Sequence, residues 1–106
     1  FRDLPFKDGS FKMVVFDPPH TIRAKEEGGI IAERYGRLTK KDWANDLSKG
    51  FKECWRVLES RGVLIFKWAE NDKKLKDLIQ FFPAQPLFGS RVGAQGKTIW
   101  LCFMKI

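Results

Sequence analysis

Histidine occurs once in this 106-residue chain, tyrosine once and cysteine twice. One histidine and two widely separated cysteines do not assemble a zinc-type ligand set, so no metal centre is expected. Cys54 and Cys102 both lie in strongly apolar stretches. We read them as buried thiols of a reducing, cytoplasmic compartment. No apolar run approaches the roughly 18 residues that a membrane span requires, so no membrane partner is expected. The opening FRDLPFKDGS puts acids and a proline where a secretory leader needs an apolar stretch, so no leader is expected either.

Basic charge is plentiful instead. Lys and Arg number 20 against 13 acids, a formal net charge of +7. Such an excess suits a polyanion such as DNA or RNA, because each neutralised phosphate releases counterions. A solvated basic surface is the plainer alternative. Apolar residues at 43% and charged residues at 31% are ordinary for one small globular domain.

The apolar pattern divides the chain into alternating elements. Residues 3–11, DLPFKDGSF, read as loop and turn. MVVF at 13–16 is a short continuous apolar run, which predicts a strand covered on both faces. Residues 21–38 are polar and broken by glycines, and such a length of irregular chain is usually a functional loop or disordered. Thr39 is expected to cap a helix, with Asp42 completing the box. Its apolar stripe would be Trp43, Leu47, Phe51, Cys54, Trp55 and Leu58, and Ser60-Arg61-Gly62 would end it. GVLIFKW at 62–68 predicts a second buried strand. Asn71 or Asp72 is expected to cap a further helix that turns Leu75, Leu78, Ile79 and Phe82 inward and stops at Pro83. PLFGSRV and TIWLCFMKI flank the glycines of GAQG and predict an antiparallel pair. This order implies a layered α/β sheet, with ligands beyond the carboxyl ends of its parallel strands. Asp17–His20 and Lys67–Glu70 fall on that edge.

Asp17-Pro18-Pro19-His20 is the most informative stretch. Proline after Asp17 forces that residue into an extended conformation, and each proline fixes its own φ and removes an N–H. The Asp17 carboxylate and the Pro18 carbonyl become two nearly immobile acceptors. An amino group on a flat ring offers two matching donors. Accepting both hydrogens keeps the nitrogen lone pair out of the ring and makes it a better nucleophile. His20 adds a flat stacking surface. The plain alternative is a strand cut short into a turn.

An acid, two prolines and a ring at the end of a strand resemble the catalytic motif of amino methyltransferases, often written DPPY. These act on adenine N6 or cytosine N4 with S-adenosylmethionine. RDLPFKDGSFKMVVFDPPH resembles the LPF-x-DGSFD-x-V stretch of Rossmann-like class I methyltransferases. ECWRVLESRGVLIFKWAE is similar to their E-x-R-VL-x-x-GG-x-L helix-to-strand segment. PLFGSRVGAQGKTIWLCFMK resembles the closing strand pair of small phage and bacterial methyltransferases. The resemblance covers nearly the whole chain and implies one methyltransferase domain over 1–106. Asp17, Pro18, Pro19 and His20 would form the catalytic turn. Phe1, Leu4, Pro5, Phe6 and Asp17 would meet S-adenosyl-L-methionine.

Two departures qualify what the resemblance implies. The fourth motif position is usually aromatic, often tyrosine, and here it is His20. The glycine-containing first turn of the family, its ribose-binding acid and its adenine-reading aspartate would all precede Phe1. The chain is therefore expected to correspond to the second half of such a domain and to bind cofactor weakly. Strand 13–16 would then be a bare sheet edge, which leads us to expect a homodimer or swapped assembly covering it, or a longer parent chain.

Several other features have plainer readings. GKT at 96–98 lacks the upstream glycine of a phosphate loop, since Arg91 stands there, and IWLCF after it reads as strand. FGSRVG likewise has no following helix. Trp43 and Trp55 belong to the helix stripe, whereas Trp100 stays ambiguous. Trp68, ending a strand on the candidate edge, could stack on a base, with packing as its default role. Lys67 is a further candidate substrate contact, with a merely solvated or paired rim formed with Glu70 as the plain alternative. Arg23, Lys25, Arg34 and Arg37 suit phosphate contacts. Three readings remain: a methyltransferase for a nucleic-acid amino group, one for a small molecule or protein, and a non-catalytic interaction module.

Overall fold

Residues 1–23 and 38–106 are described by the structure, a computed structural model. The apolar run near the start extends backwards into strand β1, Phe11–Phe16. Ile22–Arg23 and Leu38–Thr39 form β2 and β3, a two-residue parallel ladder on either side of the undescribed residues. Helix α1 spans Trp43–Val57 and runs directly into β4, Leu58–Ala69. A single helical turn, α2, Leu75–Leu78, continues as a 3-10 turn over Ile79–Phe81. Strands β5, Phe88–Val92, and β6, Thr98–Met104, close the chain as a hairpin. The main sheet has the order β1-β4-β6-β5. Its β1–β4 pair is parallel and the other two pairs are antiparallel. The fold is thus mixed α/β.

One face of this sheet carries the core. Phe16, Leu64, Phe66, Trp68, Ile99, Leu101 and Phe103 alternate onto it and are buried against Leu47, Phe51 and Cys54 of α1 and Leu78 of α2. Phe51 is the hub, with ring centroids 5.1 Å from Phe16, 4.7 Å from Phe66 and 5.5 Å from Phe82. These tilted and edge-on contacts suit the aromatic quadrupole. Gly50 lets α1 approach closely, because a Cβ there would lie 2.6 Å from Phe16 Cζ and 2.8 Å from Phe1 Cδ2.

The elements differ from the sequence expectation in several places. Strand 13–16 was expected to be covered on both faces, yet Met13 and Val15 are exposed. Both helices lie over the Val14 and Phe16 side, so the residues between them have no covering layer among the described residues. Leu58, expected on the helix stripe, is instead the first residue of β4, with φ −81° and ψ 131°. No loop intervenes at Ser60–Gly62. The carbonyls of Trp55 and Leu58 at this junction are capped by the Lys105 ammonium, at 2.7 and 2.8 Å. The second helix is shorter than expected and starts later, and Ile79, expected inward, is exposed on its 3-10 continuation. Asp72 is already engaged elsewhere, and the Leu75 N–H is capped by Glu70 (2.7 Å).

The expected turn at GAQG is present. Gly93 and Gly96 take φ of +93° and +63°, values open to glycine at little cost. Thr39, expected to cap α1, lies in β3 instead: it accepts the Asp42 N–H at 3.1 Å, but the N-cap of α1 is Asp42, no side chain caps it, and the expected capping box does not form. Among the described residues no helix is long and apolar enough to cross a membrane.

Candidate functional site

Because β1 and β4 are parallel, with Phe16 opposite Phe66, the segments that follow them emerge on the same edge of the sheet. Asp17–His20 leaves the end of β1 there, and Lys67–Glu70 occupies the end of β4. In open α/β sheets this edge is where ligands collect.

The double proline forms a compact, anchored bend. Pro18 is buried and Pro19 half-buried, while the Asp17 side chain remains about half exposed. His20 Nε2 lies 2.8 Å from Asp17 Oδ1. This contact engages one carboxylate oxygen from within the turn, and the side chain as a whole stays about half exposed. The imidazole also leans on Trp68, at 5.3 Å between centroids and 54° between planes. His20 is therefore the ring at the rim, and Trp68 is the wall behind it. Trp68 itself is fully buried, stacks near-parallel to Phe66, and donates its indole N–H to the Lys73 carbonyl (2.9 Å). Its role as built is packing and positioning, not direct stacking on a base.

The remaining rim residues are ordered by specific partners. Lys67 points to the opposite sheet face, its ammonium 5.2 Å from the Trp100 ring centre. Glu70 is buried and paired: Arg91 binds one carboxylate oxygen, and the other accepts the Leu75 N–H. The Arg91 hydrogen bond is the main cause holding its carboxyl below the ordinary range. Glu70 is thus a structural anchor of this edge. Arg23 has its backbone in β2. Lys25, Arg34 and Arg37 lie outside the described residues.

Sequence reasoning missed a neighbouring feature. The Asp72 carboxylate accepts the Ile22 N–H at 2.6 Å, tying the strand after the proline turn to the loop after β4. Beside this tie lies a cleft of about 420 Å³ lined by Ile22, Lys40, Trp43, Asp72 and Lys73. Lys73 sits 4.5 Å from the Trp43 ring centre. Asn71-Asp72, placed just past a parallel strand, was the available signal. In the sequence alone the pair reads as a helix cap.

The stretch expected to meet the cofactor follows a different course. Phe1 packs on Phe16, 5.5 Å between centroids, next to the proline turn. Phe6 packs edge-on to Phe11, 4.9 Å away, at the opposite end of β1. Six strand residues separate those ends by roughly 17 Å. The Leu4 N–H donates to Glu53, and the Leu4 and Phe6 carbonyls accept from Arg56 (3.0 and 2.8 Å). Pro5 has no N–H to offer. Of the five residues expected around the cofactor, Phe1 and Asp17 stand at the candidate edge. Leu4 to Phe6 descend along α1.

No family model matches the sequence, and no curated protein matches it. Among solved structures, the crystal structure of PH0226 protein from Pyrococcus horikoshii OT3 is similar, with a TM-score of 0.58 over 99% of this chain. Identity is 14%, and this chain spans 56% of the length of that protein. At that identity the likeness concerns the fold alone.

Proposed function

We propose that this chain is the amine-holding part of a Rossmann-like class I, S-adenosylmethionine-dependent methyltransferase that acts on an exocyclic amino group of a nucleic-acid base, adenine N6 being the best match. The observation that carries this reading is the anchored Asp17–His20 turn at the carboxyl edge of two parallel strands, with its carboxylate half exposed.

The chemistry follows from the acceptors. The amine gives one N–H to the second carboxylate oxygen of Asp17 and the other to the Pro18 carbonyl. With both hydrogens held, the nitrogen lone pair is turned out of conjugation and faces away from the bend. Little reorganisation is needed, because the prolines fix both acceptors beforehand. His20 steadies Asp17 and offers its ring to the base. Lys40 and Lys73, in the adjoining cleft, suit flanking phosphates. In a duplex the base would first be flipped out, at about a few kcal/mol.

S-adenosylmethionine, when bound, would supply the electrophilic methyl group. The described residues do not fit it as a whole: the polar groups of Leu4 and Phe6 are taken by Glu53 and Arg56. That same engagement favours a second reading, a methyltransferase-like module without catalysis.

Binding of labelled single-stranded oligonucleotides, one with a single adenine and one with purine lacking the amino group at that position, separates the readings. Sites built around an N–H reject analogues without it. The adenine strand should bind about tenfold more tightly, and Asp17→Ala should abolish the difference. Equal binding by the wild-type chain would remove the amine-holding reading. Calorimetry with S-adenosylhomocysteine should show at most weak binding by this chain.

A further inference from the structure

The strand registers lay out the sheet face opposite the helices row by row. Met13, Val63 and Met104 form one row. Val15, Ile65, Cys102 and Phe88 form the next, and Lys67, Trp100 and Ser90 the third. Lys67 is the sole charged side chain in these three rows. Met13 is 62% exposed, Val15 55% and Phe88 69%, with Val92 and Trp100 also open. Nothing among the described residues packs on this face. A half-apolar sheet normally turns such rows toward another layer.

We propose that this face is the docking surface for a second copy of the chain, two sheets packing face to face with the helices outside. Area and chemistry both favour that occupant. Whole Phe and Trp side chains carry about 150–250 Å², so Met13, Val15, Phe88, Val92 and Trp100 together expose on the order of 500 Å². Two copies would remove roughly 1,000 Å², the lower bound of specific interfaces, and half-buried Val63, Ile65 and Met104 add to it. The face is ridged, twisted and nearly uncharged, so it needs no complementary partner and can meet itself across a two-fold axis. Lys67 lies one row inside Ala69, Thr98 and Val92, and its stem can run along Trp100 and carry the ammonium toward the end of β4. Copies of net charge +7 repel at long range, so the association should tighten as salt rises. An interface built on ion pairs would do the reverse.

Sedimentation equilibrium with size-exclusion light scattering tests the proposal on the wild-type chain and on Met13→Lys, Val15→Lys and Phe88→Glu. These positions are exposed, so circular dichroism should stay unchanged and show that each variant folds, while the denaturation midpoint should lose its dependence on protein concentration. Ile79→Lys, exposed on the helix side, serves as control. The wild type should be a dimer, each face variant should weaken it at least tenfold, and the control should not. A monomer throughout would overturn the proposal, leaving the face to some other polypeptide. So would a dimer indifferent to the face variants, which would point to strand edges, or an open series of larger species.

Discussion

Arg56 donates from Nε and Nη2 to the two carboxylate oxygens of Glu53, one turn back on α1, at 2.6 and 3.1 Å. The same guanidinium reaches the carbonyls of Leu4 and Phe6 and the carboxylate of Asp8. A helix-surface pair of this spacing is usually worth little on its own. Here it fastens the first eight residues to the helix, a use open to a forked, planar cation and closed to lysine.

The staple carries a pH signature. The Arg56 hydrogen bond, aided by the Leu4 N–H, holds the Glu53 carboxyl down from 4.5 to about 2. A folded-state value below the unfolded one means stabilisation that is complete above about pH 4.5 and lost as pH falls toward 2. The denaturation midpoint should therefore fall across that window more steeply in the wild type than in Glu53→Gln. Parallel curves for the two proteins would show that the pair does not stabilise the fold. Hydrogen exchange at the Leu4 amide should quicken in the variant.

Packing around Phe51 gives a second prediction. Phe51→Ala should destabilise by about 3–5 kcal/mol in denaturant unfolding, the usual range for a buried phenylalanine truncated without collapse. Gly50→Ala is a finer test. Alanine gains about 1 kcal/mol in helix propensity, while overpacking costs about 1–3 kcal/mol. With Phe16 held in the core, overpacking should prevail. The new methyl should displace the Phe1 ring, and a net stabilisation would show that Phe1 and Phe16 yield freely.

Cys54 provides a third. Burial pushes its thiol up to about 12 from 9.0. With Cys102→Ser removing the other thiol, alkylation near pH 8 should proceed only through unfolding and should track denaturant concentration. Rapid labelling of the native protein would contradict the packing of α1 on the sheet.

Covalent geometry and periodicity made much of this readable from the sequence. The proline pair fixed a bend at a strand end whatever its surroundings. The α1 stripe and the two-glycine hairpin announced themselves by spacing. A continuous run such as MVVF does not say which of its sides will be covered, because neither side is polar. Whether Asp72 caps a helix or reaches across to Ile22 depends on a neighbour 50 residues away. The burial of Trp68 and the fork of Arg56 were likewise hidden, since both depend on chain that returns from far away in the sequence.

The sheet order has a consequence for biosynthesis. β6 leaves the ribosome after β4 and β5, yet it lies between them in the sheet. Until residues 98–104 emerge, β4 has no neighbour on one side and β5 has none at all. At about 5–20 residues per second, the nascent chain spends seconds in that state, the time in which a holdase would be needed.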